Sequence, residues 1–391
     1  MTLTPDTLAF LAGGDGARLL ARLAAEDLSD AHTLALLTRL RREHAPEVAS
    51  AALEQARLRL KAVEKFGADA ARMFFTRAAL EQASDPLARR YRARAAAGLE
   101  VVDAGCGLGA DALALARAGA RVLGLDIDPL RVLLARHNAA ALGVDARFAV
   151  ADVRAGLPPA ELAFFDPARR DAGGKRIHDV ERYDPPLATV RGWQVPRAAV
   201  KLSPGVDRAQ LAAYGGQVEF ISAAGALKEA ALWLGFEERR PAAALLLGEA
   251  AHQWYAPAQP AETRLSGPRG WLLEPDPALL RAGLVAEAAA AWDAWQLDAE
   301  IAYLTADAPP DTPWMRAWRV LDWLPFNLKR LRAYLRERAV GTVTVKKRGA
   351  ALAPEELIAR LRLAGTESRT LALTRCAGRQ VVLVCADAAG G

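Results

Sequence analysis

Leu99-Glu-Val-Val-Asp-Ala-Gly-Cys-Gly-Leu-Gly109 is the stretch on which the reading of this chain turns. Its first half is a short apolar strand. Its second half carries glycine at every other position and runs into the helical Asp111–Ala118. Glycine lacks a Cβ and tolerates φ > 0, so a ligand can approach the backbone there. The following helix N-terminus presents free N–H groups. Gly107-x-Gly109-x-x-Ala112 also fits the dinucleotide fingerprint, so the glycines alone do not choose among ligands.

Outward from this turn the chain alternates. Strands are expected at Arg121–Asp126, Arg147–Val150, Leu162–Phe165, Ala198–Leu202 and Ala230–Leu234, with a helix at Pro129–Leu142. Such repetition implies right-handed crossovers and an α/β, doubly wound, mostly parallel sheet. The first 94 residues read as helical, with Leu19, Leu20, Leu23 and Leu34, Leu36, Leu37, Leu40 at helical spacing. Gly13–Gly16 and Asp27–Ser29 are breaks. After about Pro257 the regularity weakens. Glu274-Pro-Asp-Pro277 opens a helix through Arg281 to Trp292. A basic helix at Leu328–Arg338, a strand at Thr342–Arg348, a helix at Pro354–Leu363 and strands at Thr370–Thr374 and Gln380–Cys385 form a small α+β unit. Three domains are therefore expected: residues 1–94 helical, 95–265 carrying the glycine turn, and 266–391 α+β.

The acids sharpen the ligand. Asp103 ends the first strand, Asp126 the second, and Asp152 follows the third. Asp103 suits a cationic amino acid and repels a pyrophosphate. An acid placed like Asp126 takes ribose hydroxyls, and Asp152 can receive an adenine amino group. Aspartate often caps helices instead, but three at successive strand ends favour a ligand without phosphate. The motifs Val-Val-Asp103-Ala-Gly-Cys-Gly-Leu-Gly109, Leu-Asp126-Ile-Asp128 and Ala-Asp152-Val resemble the class I S-adenosylmethionine-dependent methyltransferases, over roughly residues 95 to 240. The resemblance implies a Rossmann-like fold and S-adenosylmethionine as cofactor. Asp103, Gly105, Gly107, Gly109, Asp126, Asp152 and Asp166 would form its site. The wider chain is similar to a bacterial family of such enzymes with a helical N-terminal part and a THUMP-like C-terminal domain. The matching stretches are Lys65-Phe-Gly, Leu80-Glu-Gln, Phe165-Asp-Pro-Ala-Arg169, Val200-Lys-Leu-Ser-Pro-Gly205, Glu274-Pro-Asp-Pro and Val345-Lys-Lys-Arg-Gly349. A THUMP-like domain implies RNA.

Two acceptors fit Phe164-Phe-Asp166-Pro-Ala-Arg169-Arg170. Enzymes that methylate base nitrogens carry Asn/Asp-Pro-Pro-aromatic here; this chain keeps Asp166 and Pro167 but lacks the aromatic. Tyr183-Asp-Pro-Pro186 resembles the motif but follows a charged loop and reads as a decoy. Asp166, Lys201 and Glu229, at successive strands, are similar instead to the Lys-Asp-Lys-Glu set of FtsJ-type ribose 2′-O-methyltransferases. Lys201 would be the base and Lys65 a candidate for the first lysine. Pro167, Arg169, Arg170, Lys175 and Arg176 would bind substrate, their cations meeting phosphates. Tyr183 or Trp193 could stack a base. Interleaved Asp171, Asp179 and Glu181 offer the plainer reading of a salt-bridged loop. Lys329–Arg338 and Lys346-Lys-Arg348 add a second basic group, with an ordinary amphipathic helix and charged strand edge as the alternative.

Bulk properties set the limits. A net charge of +5 over 391 residues permits a polyanion partner without requiring one. Three cysteines without a CxxC pair and five unclustered histidines suggest no disulfide framework, no metal and no His-based triad. The start has no signal-peptide pattern and no apolar run spans a bilayer, so a cytoplasmic, membrane-free protein is expected. Tryptophans such as Trp292, Trp295, Trp314 and Trp318 read as core at helical spacing. A non-catalytic RNA-binding protein on the same scaffold, a small-molecule methyltransferase and an NAD-dependent oxidoreductase are the competing functions.

Overall fold

The computed structural model describes residues 3–169, 173 and 175–387. The described chain divides into two compact units. One holds the residues up to Val218 with Lys228–Arg240 and Gly248–Ala251. The other holds Glu219–Leu227, Pro241–Leu247 and the chain from His252.

In the first unit six helices precede the sheet: α1 Pro5–Ala12, α2 Gly14–Ala24, α3 Thr33–Leu40, α4 Pro46–Phe66, α5 Arg77–Gln82 and α6 Pro86–Ala93. The apolar faces of the first four share a core that reaches Leu134 beyond the glycine turn. The helical segment read above as a domain of its own therefore lies in one unit with the sheet. Two buried amides tie this segment together and to the sheet. Gln55 bonds both backbone groups of Phe75 (2.6 and 3.0 Å). Asn138 bonds both of Phe74 (2.7 and 3.1 Å) and also Leu108 O in the glycine turn (3.0 Å). A buried amide left without such partners would cost about 1–3 kcal/mol.

The sheet alternates β1 Glu100–Ala104, α7 Ala110–Arg117, β2 Arg121–Asp126, α8 Pro129–Leu142, β3 Arg147–Val150, β4 Leu162–Phe165 and β5 Ala198–Leu202. Its order is β3-β2-β1-β4-β5, all parallel. The expected strands agree closely, because runs such as Leu-Ala-Phe-Phe165, buried throughout, suit a sheet covered on both faces. Beyond β6 Gln217–Ala223, the strand expected at Ala230–Leu234 is the longer β7 Ala226–Leu234. It pairs antiparallel with β5, Lys201 opposite Ala231.

The second unit departs further from expectation. It holds β8 Ala243–Leu247 and most of β9 Ala250–Trp254. A seven-stranded sheet follows, formed by β10 Trp271–Pro275, β11 Trp295–Asp298, β12 Ile301–Ala306, β13 Met315–Pro325, β14 Val340–Lys347, β15 Glu367–Cys376 and β16 Arg379–Ala386. Its order is β11-β12-β10-β13-β16-β15-β14. The single helix expected from Pro277 to Trp292 is two, α9 Pro277–Ala282 and α10 Val285–Ala291, since Gly283 takes a left-handed φ of 77° and caps the first. Trp295 and Trp318 lie on strands rather than on helices. Helices α11 Leu328–Glu337 and α12 Pro354–Leu361 cover one face of the sheet, through Leu331, Leu335, Leu357 and Leu361. No helix is long and apolar enough to cross a membrane among the described residues.

Candidate active site

The register of the sheet brings the candidate side chains to one face. Asp103 pairs with Phe164, Phe164 with Ala199, and Lys201 with Ala231. Paired residues share a face, as do alternate residues of a strand. Asp103, Phe164, Lys201 and Glu229 therefore project together, with Asp166 one step beyond the end of β4. This is the carboxyl end of the parallel strands, where such sheets bind ligands.

Helix α6 closes over that face. Asp85 caps it, accepting from Leu87 N and Ala88 N with Pro86 at its start. Lys65 holds the preceding turn, its ammonium donating to Leu80 O, Glu81 O and Ala83 O at 2.8–3.0 Å. The Lys65-Phe-Gly and Leu80-Glu-Gln stretches are thus two halves of one clamp. With three carbonyls on its ammonium, Lys65 is a structural group, not the first cation of a catalytic set.

Arg92, which the sequence motifs did not single out, is buried against this face instead. It is 4% exposed and lies over the Phe164 ring at 4.6 Å. It donates to Ser84 Oγ (3.2 Å) and Asp111 Oδ1 (3.0 Å), and its Nε pairs with Glu229. Burial works against its charge, and Glu229 and Asp111 more than offset this, holding the guanidinium above its usual range. Lys201, 3% exposed, donates to Asp166 Oδ2 at 2.5 Å. Burial pushes the Glu229 carboxyl up against the opposing pull of Arg92 and Lys201. The Asp111 carboxyl is held low despite burial, by Arg92, Lys201 and Arg89.

Four buried or part-buried carboxylates (Asp103, Asp111, Asp166, Glu229) thus face three cations, Arg92, Lys201 and Arg89. The imbalance falls on Asp103. It is 1% exposed and its Oδ2 has no hydrogen-bond partner. Burial, then Asp111 and Asp166, push its carboxyl well above the usual range. An orphaned carboxylate oxygen in an anionic pocket calls for a cationic N–H donor. Beside it the glycine turn follows the expected geometry, with Gly105, Gly107 and Gly109 at φ of 84°, 54° and 87°. A Cβ on Gly109 would lie 3.2 Å from that of Ala135. Asp126, buried, accepts from Gly107 N and Asp128 N, both at 2.9 Å, so it ties the turn to β2.

Ile127, directly after Asp126, is 59% exposed, and Val150 at the end of β3 is exposed too. Two bare apolar side chains beside a buried acid suit the flat face of a purine. Asp152 lies at the surface, capping the 3₁₀ turn Val153–Ala155 and pairing with Arg154.

The acceptor region is mixed. Pro167 is buried, and Ala168 bridges Asp184 in both directions (2.9 and 3.0 Å), which brings the supposed decoy Tyr183-Asp-Pro-Pro186 alongside Asp166-Pro167. Tyr183 is 2% exposed, and Trp193 packs on Phe165 and donates to Val153 O. Both are core residues, so neither is open for stacking. Arg169 is half-buried, and Lys175 and Arg176 are exposed. Arg170 and Asp171 lie outside the described residues. Asp179 and Glu181 accept from backbone N–H groups, and Glu181 also from Tyr214, with no ion pair to Arg176 or Arg182 among the described residues. In the second unit Lys346 (2.8 Å) and Arg348 (3.3 Å) pair with Glu274, so two of the three cations of that motif are tied to a carboxylate. Lys329, Arg330 and Arg336 of α11 are exposed.

Comparison with known proteins gives three family matches: a methyltransferase domain over residues 101–167, a THUMP domain-like region over 315–387, and a domain of unknown function over 4–62. Over 338 residues, 83% of this chain and 92% of theirs, the chain is 37% identical to an uncharacterized S-adenosylmethionine-dependent methyltransferase of Mycobacterium tuberculosis, in strains CDC 1551 and H37Rv alike. Its fold matches a crystal structure of a Porphyromonas gingivalis W83 protein assigned as a methyltransferase. The TM-score is 0.77 at 22% identity, over 99% of this chain and 100% of the other.

Proposed function

Because this chain belongs to the S-adenosylmethionine-dependent methyltransferases with a THUMP-like C-terminal domain, we propose that it methylates RNA, with a ribose 2′-hydroxyl as acceptor. The observation that carries the acceptor is the part-buried Asp166–Lys201 pair, flanked by Arg92 and Glu229 at the carboxyl ends of β4 and β5. Arg92 stands where a lysine would complete the Lys-Asp-Lys-Glu pattern.

The bound cofactor supplies an electrophilic methyl on a sulfonium. The orphaned Asp103 oxygen fits its amino group, Asp126 its ribose, and Ile127 with Val150 its adenine; Asp152 lies beyond them to receive the adenine amino group. The glycine turn lets the backbone approach it. What remains for the chain is to hold the acceptor and take its proton. A 2′-hydroxyl is a weak nucleophile and needs a base in line. Lys201, oriented by its hydrogen bond to Asp166, is the group positioned to accept that proton. Glu229 and Asp111 fix Arg92, and Arg92 in turn fixes the far wall of the cleft. A base-nitrogen acceptor is disfavoured by Tyr183, whose burial leaves the Asp166-Pro167 turn without an aromatic platform.

RNA as substrate class is supported by the THUMP domain-like match and by the exposed Lys329, Arg330 and Arg336 of α11. Arg169, Lys175 and Arg176, with Pro167 beneath them, would meet phosphates near the acceptor. The test is to compare RNA nucleosides by mass spectrometry from cells with and without the gene. Loss of one ribose-methylated nucleoside, restored by the purified protein with S-adenosylmethionine, is the expected result. Loss of a base-methylated nucleoside would move the acceptor to the Asp166-Pro167 turn. An unchanged RNA profile would remove RNA altogether.

A further inference from the structure

A cavity of about 790 Å³ opens between α2, α4, α8 and the segment Gly67–Phe74. It is distant in role from the cleft just described and uses none of its side chains. Its volume lies in the roughly 300–1,000 Å³ range of small-molecule sites. The walls are aliphatic: Leu20 and Ala21 from α2, Leu60 and Val63 from α4, Ala140 and Ala141 from α8. Leu60 and Val63 stand exposed at its lip. Among the described residues its only polar side chains are Arg59, Arg72 and His137, with no carboxylate, hydroxyl or amide side chain.

Two of those three are already engaged. Arg72 pairs with Asp69 (3.1 Å) and donates to Ala141 O. His137 meets the edge of Phe74 at 6.3 Å. Arg59 differs. Its Nε donates to Met73 O at 3.0 Å and its guanidinium lies over Phe74 at 5.0 Å. These contacts fix the plane of the fork and leave both Nη groups without a hydrogen-bond partner or an acid beside them among the described residues. Burial alone pushes this guanidinium down to about 10. Half-buried charges are ordinarily paired, because a desolvated ion without a counter-ion is costly.

We infer that this cavity binds an anionic amphiphile, its single carboxylate on the free fork of Arg59 and its aliphatic chain along the alanine and leucine walls. Arginine's planar fork matches a carboxylate with two parallel bonds. A phosphate dianion fits less well, since one unpaired cation and no hydroxyl or amide donor would leave its other oxygens bare. The inference does not depend on the transferase reading.

Dodecanoate, below its micelle concentration, is the probe, with the full-length protein and calorimetry. Dodecyltrimethylammonium keeps the chain and reverses the charge; butyrate keeps the head and shortens the chain. Saturable binding of one dodecanoate per chain is expected, with both controls far weaker. Arg59→Ala should weaken it by at least about tenfold, the loss of a charged hydrogen-bonded pair. Arg59→Lys, which keeps the charge but not the fork, should fall between. Ala21→Trp, filling the cavity, should block binding without touching Arg59, and serves if Arg59→Ala does not fold. No dodecanoate binding, equal binding of the ammonium analogue, or unchanged affinity in both Arg59→Ala and Ala21→Trp would overturn it. So would occupation of the groove by a second copy, seen as a dimer that Ala21→Trp dissociates and dodecanoate does not.

Discussion

Asp103 and Glu274 are both carboxylates withdrawn from water in company with cations, and they end differently. Glu274, on β10, has Lys346 on one oxygen and Arg348 on the other, and those cations lie against Trp318 and Tyr303. Every charge there is answered, and burial followed by the nearby Glu274 raises the Tyr303 hydroxyl to about 12. Asp103 sits in a cluster where acids outnumber cations, and one of its oxygens has no partner. A balanced cluster is scaffold. An unbalanced one, buried at the carboxyl end of a parallel sheet, is prepared for a charge that arrives with a ligand. The motifs Val200-Lys-Leu-Ser-Pro-Gly and Val345-Lys-Lys-Arg-Gly look alike on paper, and this difference separates them.

Four substitutions would break or sharpen that contrast. The largest effect is expected at Lys201→Ala: kcat falls by about 10²–10⁴-fold, the usual contribution of a positioned base, while cofactor affinity by calorimetry changes little. Full turnover in this variant would end the Asp166–Lys201 reading. Next is Arg92→Ala, which leaves Asp111 and Glu229 buried without their cation; about 3–5 kcal/mol of stability should be lost in denaturant unfolding. Adding Glu229→Gln to that variant should restore part of it.

Asp103→Asn comes third. Cofactor affinity should drop roughly ten- to hundredfold, the worth of one charged hydrogen bond. The pH dependence gives the sign. With its folded value raised, Asp103 is protonated at a higher pH than a free carboxyl, and binding of an ammonium needs it ionised. Affinity should therefore weaken as pH falls through the raised value, and binding should release a proton, detectable by calorimetry in buffers of different ionisation enthalpy. In the ligand-free protein the same shift means that stability is lost as pH rises through that value. Both dependences should flatten in Asp103→Asn. The smallest effect is Glu274→Gln: about 1 kcal/mol or less of stability, since the cluster is partly exposed, and no change in kcat/KM. A catalytic defect there would erase the distinction drawn above.

The alternating strands and helices from Glu100 to Leu202 were legible because their patterns are local: apolar runs of four to six residues, a glycine turn, and proline or aspartate at helix starts. The acids Asp103, Asp126 and Asp152 were legible for the same reason, each standing at or just after a strand end. Elsewhere the local signal misled. Trp295 and Trp318 have helical spacing yet lie on β11 and β13, because strand pairing across the second sheet, not spacing, decides that region. Lys65 matched a lysine expected in the site, but its ammonium holds three carbonyls at the end of α5.

By itself, the sequence determined the parallel sheet, the glycine turn and the cofactor, since each rests on residues close together in the chain. Which charges meet was decided only in three dimensions. Arg92 and Glu229 are far apart in sequence, in a helix and a strand that no periodicity links. Their pairing follows from sheet register and from a helix clamped by Lys65. The orphaned oxygen of Asp103 is likewise a property of its surroundings, because whether a buried carboxylate is satisfied depends on every neighbour that folding brings to it.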